Sequence, residues 1–139
     1  MDKNDYLRML VDEIHSVVIA TVDEAGHPQA RVMDLMLWDG DGVYFTTERG
    51  KRVHEQLMEQ RYVAVAELKG QAGIMLNGEV EPLGRERVDE VLEKYPYMRE
   101  LFPGKAADTL ETFRICRAHG SYYDITDPAN LVTDTFEIG

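Results

Sequence analysis

Short β-type segments separated by turn residues run through most of this chain, and they constrain its fold more than any other feature. Runs of this kind, rich in β-branched and aromatic residues, are typical of strands. They occur at 16–22, 29–38, 43–47, 62–68, 74–83, 109–118, 121–125 and 132–138. Breakers such as Gly26, the run DGDG and the pair His119-Gly120 separate several of them. Such short connections favour antiparallel pairing of successive strands.

Helical spacing of apolar residues is confined to a few places. It predicts helices at about 4–14, at about 51–60 and at about 85–95. Asn4 and Asp5 are candidate caps of the first helix, and a short helical turn is expected before Pro103. A parallel, doubly wound sheet would need a helix between most strands. The sequence therefore predicts a mainly β fold, an antiparallel barrel or sandwich with helices at its ends.

Composition narrows the class of protein. With 139 residues and no linker, the chain is expected to form one domain over 1–139. A net charge of −11 argues against a nucleic-acid-binding surface, and no long apolar run suggests a membrane helix. The acidic, amphipathic N-terminus is unlike a signal peptide. A single cysteine, Cys116, suits a reducing compartment, so we expect a cytoplasmic protein.

Most chemical motifs are missing from the sequence. The four histidines are far apart, and HEQLM lacks the second histidine of a zinc-binding helix, so no metal site is predicted. No nucleotide-binding glycine motif and no nucleophile motif occurs. These observations leave one local cluster to explain.

That cluster is TTERGKR, residues 46–52, between a strand and a helix. It places Lys51 and Arg52 at a helix start, where the helix dipole disfavours cations. One interpretation is a solvated surface loop. The other is an anion site, because backbone N–H groups, the hydroxyls of Thr46 and Thr47 and two or three cations together suit a phosphate. Arg31 on the second strand could reach the same end of the barrel.

The order of these pieces resembles the pyridoxamine 5′-phosphate oxidase-like family of flavoproteins. The ordered set is IATV, a turn, ARV, a turn, YFTT, GKR and a helix, and the likeness extends through NGEVE, KYPYMRELFPG and SYYDITDP. The resemblance implies an antiparallel Greek-key split barrel that binds FMN at a homodimer interface. It also implies a small-molecule electron donor and a small-molecule acceptor, with the flavin carrying the electrons.

Carried over residue by residue, the resemblance also implies a cofactor site. The flavin ring and ribityl chain are expected along the strand segment RVMDLM, and the phosphate at Lys51 and Arg52. An aromatic residue that reaches the partner subunit's flavin matches Tyr123. The expected cofactor-binding residues are Arg31, Val32, Met33, Asp34, Phe45, Thr46, Thr47, Lys51, Arg52 and Tyr123. No catalytic residue is assigned.

The resemblance leaves alternatives to a small FMN-dependent oxidoreductase. One is authentic pyridoxamine phosphate oxidation. It is disfavoured because those enzymes carry a C-terminal segment with Trp and Arg, whereas this sequence ends in LVTDTFEIG. The other is a non-catalytic flavin- or haem-binding stress protein that uses the same barrel as a store or sensor.

Overall fold

Eight strands and four α-helices make up the chain in a computed structural model that describes residues 1–139. The strands are β1 Ser16–Val22, β2 Pro28–Asp34, β3 Leu37–Asp39, β4 Gly42–Glu48, β5 Tyr62–Lys69, β6 Ala72–Gly84, β7 Leu110–Asp124 and β8 Val132–Ile138. The helices are α1 Lys3–Arg8, α2 Arg52–Gln60, α3 Val88–Lys94 and α4 Tyr97–Leu101. A π-helical segment, Met9–Ile14, continues α1, and a 3₁₀ helix, Gly104–Thr109, precedes β7. None of the helices is long and apolar enough to cross a membrane.

The strands form one sheet in which every pairing is antiparallel, in the order β2-β1-β5-β6-β7-β4-β3 with β8 also on β7. Strand β7 divides the sheet: its first half pairs with β4 and its second half with β8, while β6 follows its other edge. The chain is therefore a mainly antiparallel β split barrel with peripheral helices, and the predicted fold class is confirmed.

Two apolar clusters stabilise this architecture. The larger one fills the barrel, where Tyr6 stacks on Phe136 with ring centroids 4.6 Å apart and Phe45 on Phe113 at 5.8 Å. The smaller one lies beneath α3 and α4 and includes Met36, Met98 and Leu110. Burial of such side chains contributes about 1.5–3 kcal/mol each. The second cluster fixes α3 and α4 beside β4 and the end of β2.

The predicted strand at 29–38 is wrong as a single element, because the chain changes partner within it. Strand β2 pairs with β1, whereas β3 pairs with β4. Between them the Leu35 N–H donates to the His15 carbonyl at 2.7 Å, and the Met36 N–H donates to the Tyr44 carbonyl at 2.8 Å. Both linking side chains are buried, so the residue types alone do not show the break.

The predicted break at His119-Gly120 is also wrong, because β7 runs through it. Gly120 pairs with Leu76 on one side and Phe136 on the other. A Cβ at Gly120 would lie 2.1 Å from the Phe136 ring, so this glycine makes room for an aromatic ring and does not mark a turn.

Helix starts differ in detail from the prediction. Asp2, not Asn4 or Asp5, caps α1: its side chain accepts from the Asp5 N–H, and the Asp5 carboxylate accepts from the Asp2 N–H. This is a reciprocal capping box. The third predicted helix begins only at Val88, after Arg87 in a left-handed conformation. The short helical turn expected before Pro103 is α4, and the 3₁₀ helix that follows it was not predicted.

Candidate functional site

A cleft of about 480 Å³ opens between β2 and the start of α2. Strand β2 supplies one wall, and the β4–α2 connection with the first turns of α2 supplies the other. The cleft is lined by Gln29, Arg31, Val32, Met33, Thr47, Lys51, Arg52, Val53 and Gln56. Its volume falls within the range of about 300–1,000 Å³ that is typical of ligand sites. The cleft therefore has room for a cofactor.

The N-terminus of α2 lines this cleft with Lys51, Arg52 and Val53. Gly50, at φ 89°, turns the chain after β4, and Lys51 in an extended conformation is the N-cap of α2. No side chain caps this helix, so its first backbone N–H groups are open to a ligand. Val53 and Leu57 anchor the helix in the barrel core. The start of α2 is thereby held beside β2, and helix N-termini of this kind attract anions.

Three cations surround the cleft. Lys51 is largely exposed and its Nζ lies 2.8 Å from a Glu48 carboxylate oxygen. Arg52 is exposed and forms neither an ion pair nor a side-chain hydrogen bond. Placing both at a helix start opposes the helix dipole. Their position favours an anionic ligand.

Arg31 is the third cation, and it is only partly exposed. Its guanidinium donates to the Thr21 hydroxyl at 2.9 Å and to the Gln56 side-chain oxygen at 3.3 Å. Burial lowers the pKa of Arg31 from its ordinary value, although arginine stays protonated in proteins. No carboxylate lies within ion-pair distance of Arg31. A desolvated, unpaired charge is costly, and an anion in the cleft would offset that cost.

A smaller chamber of about 170 Å³ adjoins the cleft and shares Met33, Thr47 and Lys51 with it. Its remaining lining residues are Asp34, Met36, Thr46, Glu48, Met98, Phe102 and Leu110. Thr46 is 8 % exposed, and its hydroxyl has no hydrogen-bond partner. Buried hydroxyl groups are almost always paired. The Thr46 hydroxyl is an exception, and the surrounding protein closes it off from solvent.

The structure brings most of the predicted site residues together. Six of the ten line the cleft: Arg31, Val32, Met33, Thr47, Lys51 and Arg52. Two more, Asp34 and Thr46, line the adjoining chamber. These residues come from β2, β4 and α2. Strands β2 and β4 do not pair with each other, and the curvature of the sheet brings them to the same side of the barrel.

Phe45 and Tyr123 lie elsewhere. The Phe45 side chain is fully buried in the barrel core against Phe113. Tyr123, on β7, lines a surface hollow of about 540 Å³ together with Met75 and Asp134. That hollow has no cationic lining residue. Within one chain, neither side chain reaches the cleft.

Several residues of the site were not predicted from the sequence. Gln29 and Gln56 line the cleft, and Met98 and Phe102 wall the chamber. Of these, only Gln56 could have been recognised from the sequence, because it is a polar residue on the same helical face as the apolar residues Val53 and Leu57. The α4 residues had none, since their approach to β2 depends on the packing of a distant segment.

No group of three or more His, Cys, Asp or Glu side chains is arranged to hold a metal ion. His54 is paired with Glu111 at 2.6 Å, and His15 contacts the Leu35 carbonyl at 2.8 Å. The cleft and the chamber contain no His, Cys or Tyr side chain. The cleft holds the cations Arg31, Lys51 and Arg52 and no carboxylate, whereas the chamber holds Asp34 and Glu48 beside Lys51.

The fold is a split barrel with a cationic cleft between β2 and α2, and sequence comparison identifies the family. The sequence model described as pyridoxamine 5′-phosphate oxidase matches residues 4–118. The chain belongs to the pyridoxamine 5′-phosphate oxidase family. The comparison with curated proteins gave no match.

Solved structures share this fold. A NimC/NimA family protein from Clostridium acetobutylicum has 20% identity and a TM-score of 0.78, covering 97% of this chain and 92% of that one. A protein from the same organism, related to general stress protein 26 of B. subtilis, has 20% identity and a TM-score of 0.73, covering 99% and 97%.

Ligands differ among the proteins that share the fold. A pyridoxamine 5′-phosphate oxidase-related, FMN-binding protein from Nostoc punctiforme has 9% identity and a TM-score of 0.60, covering 94% of this chain and 92% of that one. A haem-binding protein from Mycobacterium smegmatis has 10% identity and a TM-score of 0.62, covering 93% and 55%. At these identities the likeness shows the fold alone.

Proposed function

We propose that this chain, as one domain over 1–139, binds FMN in the cleft between β2 and α2 and works as a small cytoplasmic oxidoreductase. The observation that carries the proposal is Arg31, a partly buried guanidinium without a carboxylate partner, on the same cleft as Lys51, Arg52 and the uncapped start of α2. Family membership and the FMN-binding relative support the choice of flavin.

The phosphate of FMN is assigned to the cationic end of the cleft. Arg52 and the first N–H groups of α2 would hold it, with Lys51 exchanging its contact to Glu48 for the ligand. Charge-assisted hydrogen bonds of this kind contribute about 1.5–3 kcal/mol each. The cost of two cations against the helix dipole, about 0.3–1 kcal/mol each, is smaller than this gain.

The remainder of the cleft suits the uncharged part of the cofactor. Val32, Met33 and Val53 supply apolar surface, while Gln29 and Thr47 supply hydrogen-bonding groups. When bound, FMN supplies the electron-transfer chemistry. The chain's residues bind it, orient it and shield one side of it from water. A small-molecule donor and a small-molecule acceptor would exchange electrons with it.

The cleft is proposed to be completed by a second copy of the chain. Val32 is 71 % exposed beside the cleft. It pairs across β2 and β1 with Val18, which pairs with Ala66 on β5, so exposed apolar side chains form a row on the outer face of the sheet. A homodimer would cover this row. It would also offer a route for the partner's Tyr123 to the cleft, as the family resemblance implies.

A haem-binding store is the second candidate, because a haem-binding protein shares the fold. The cleft lining disfavours it: haem iron is usually held by His, Cys or Tyr, or by Met together with His, and within one chain no His, Cys or Tyr lines the cleft. In the proposed dimer the one such residue near the cleft would be the partner's Tyr123.

The absorption spectrum of the purified protein tests the proposal. We expect a flavin band and no haem Soret band, with FMN released on denaturation. Bleaching of the flavin band by NADH or NADPH, followed by reoxidation, would support an enzyme over a store. A colourless protein that does not quench added FMN fluorescence would contradict the proposal.

A further inference from the structure

We infer that His54 and Glu111, a largely buried pair behind the start of α2, couple the binding of a phosphate in the cleft to the uptake of a proton. When His54 is protonated the pair is neutral, and when His54 is neutral the negative charge of Glu111 opposes the anion. This inference rests on the proposed function, because the anion is the phosphate of the cofactor. It makes His54 a positioning residue that acts on the ligand through the charge of Glu111.

The pair joins the first turn of α2 to the start of β7. His54 Nε2 lies 2.6 Å from a Glu111 carboxylate oxygen, and the two side chains are only 12 % and 19 % exposed. The His54 ring also packs on the Phe113 ring, with centroids 5.5 Å apart and an angle of 74° between the ring planes. Water is therefore largely excluded from this contact, so its charges are screened less than those of a surface pair.

The hydrogen bond identifies the nitrogen that gains or loses the proton. An ionised carboxylate only accepts hydrogen bonds, so His54 Nε2 carries a hydrogen in both charge states of the ring. His54 Nδ1 forms no hydrogen bond with the protein. Protonation of Nδ1 converts a neutral donor into an imidazolium paired with Glu111, and the contact between the two side chains is kept.

Both residues are close to the cationic end of the cleft. His54 is two positions after Arg52 in the first turn of α2. Glu111 is paired with Thr47 in the ladder between β4 and β7, and Thr47 lines the cleft. Directly opposed residues of antiparallel strands have their Cβ atoms about 4.5–5.5 Å apart on the same face of the sheet. The charge of Glu111 therefore acts on an anion held at the start of α2.

The other charged side chains on the strands around α2 already have partners. Helix α2 packs against β1, β4 and β6, and β1 contains no charged residue. The acidic residues of β4 and β6 form ion pairs, Glu48 with Lys51, Glu79 with Arg117 and Glu81 with Arg114. Among all these groups, only His54 is of a type that changes charge near neutral pH.

The direction of the effect follows from the charges. With Nδ1 protonated, His54 and Glu111 together carry no net charge, and the cations of the cleft attract the phosphate. With Nδ1 deprotonated, one negative charge remains behind the start of α2. At the effective dielectric constant near a protein surface, this charge should weaken phosphate binding about three- to tenfold. Because coupling between two binding events is reciprocal, a bound phosphate favours the protonated pair and its binding takes up a proton.

The pH dependence of FMN affinity tests the coupling. His54→Gln keeps an N–H donor for Glu111 but cannot ionise. In fluorescence titrations we expect wild type to bind FMN about three- to tenfold more tightly than this variant at pH 6, and about equally at pH 9. The FMN phosphate titrates in both experiments, so its own contribution cancels in the ratio. A ratio that stays constant with pH would mean that His54 is only structural and would overturn the inference.

Glu111→Gln should show its effect at the other end of the pH range. It removes the negative charge that is unpaired when His54 is neutral. At pH 9 this variant should therefore bind FMN about three- to tenfold more tightly than wild type. Equal or weaker binding at pH 9, in a variant whose circular dichroism matches that of wild type, would contradict the proposed repulsion.

Two controls make these measurements specific. His119 is paired with Glu137 between β7 and β8, outside the cleft, so His119→Gln should keep the pH dependence of wild type. The same change in His119→Gln as in His54→Gln would overturn the inference. Riboflavin lacks the phosphate and should bind wild type and His54→Gln equally at both pH values. A wild-type protein that binds FMN with a constant ratio overturns this inference alone, whereas no FMN binding overturns the proposed function together with the coupling.

Discussion

The Arg31 guanidinium donates to the Thr21 hydroxyl at 2.9 Å, deep beside the cleft, and finds no carboxylate to neutralise it. Thr21 is 1 % exposed and donates in turn to Gln56 on α2 at 2.5 Å. The two strands and the helix are thus joined through neutral groups around a positive charge. These hydrogen bonds stabilise the shape of the cleft. They do not neutralise the Arg31 charge, so an anionic ligand would be stabilised there.

Reversing both cations at the start of α2 should weaken FMN binding strongly. In the Lys51→Glu, Arg52→Glu variant, loss of two charge-assisted hydrogen bonds should cost about 3–6 kcal/mol, a weakening of about 10²- to 10⁴-fold. The fold should survive, because both side chains are exposed and glutamate suits a helix N-terminus. Fluorescence titration with FMN measures the effect, and circular dichroism checks the fold.

Two controls make that experiment specific. Riboflavin lacks the phosphate and should bind wild type and variant about equally. The Arg99→Glu, Lys105→Glu variant makes the same change in net charge at exposed positions outside the cleft, and it should keep FMN affinity. If the Lys51, Arg52 variant retains wild-type affinity, the cations belong to a solvated loop.

Replacing Arg31 should separate stability from binding. Arg31→Met removes a partly desolvated charge while Thr21 stays bonded to Gln56, so the ligand-free protein should unfold at an unchanged or slightly higher temperature. Removing one charge-assisted contact should weaken FMN binding about tenfold or more. Thermal unfolding without ligand and fluorescence titration measure the two effects. Arg31→Lys, which keeps the charge, should lose less affinity, and a large drop in melting temperature for Arg31→Met would argue against an unpaired charge.

Lowering the pH should destabilise the fold in part by protonating Asp23, whose carboxylate holds the turn before β2. Hydrogen bonds from the backbone N–H groups of His27 and Ala25, with Gln29, lower the pKa of this carboxyl. Because the folded-state pKa is depressed, Asp23 contributes stability that is present above its unfolded pKa of about 4. That stability is lost as pH falls through the folded-state value. Melting temperatures between pH 2 and 7 should fall more steeply for wild type than for Asp23→Asn. Parallel curves would refute this role.

Val32 should be needed for dimerisation. It is 71 % exposed on the outer face of β2, where a second chain is proposed to bind. Val32→Lys should give a monomer by light scattering and weaken FMN binding, because a charge would be buried in the interface. Leu101→Lys, at a position 65 % exposed on α4, should remain dimeric. A stable monomer of the wild-type protein that holds FMN tightly would contradict the dimer proposal.

The sequence determined those features that depend on neighbouring residues. Runs of β-branched and aromatic residues between turns predicted most of the strands, and the i, i+4 spacing of Val53 and Leu57 contributed to the prediction of α2. The local conflict between cations and the helix dipole identified Lys51 and Arg52 as candidate ligand residues. Each of these signals lies within one short segment of the chain, so the residues of that segment are enough to show it.

The tertiary structure alone decided how distant segments meet. Partner exchange at Leu35 ends β2 and lets Asp34 turn toward Tyr97, 63 residues further along the chain. The continuity of β7 through Gly120 depends on the Phe136 ring. The chamber exists because α4 packs against the end of β2 and β4. Register and side-chain packing set these contacts, and residue type or spacing within a single segment does not encode them.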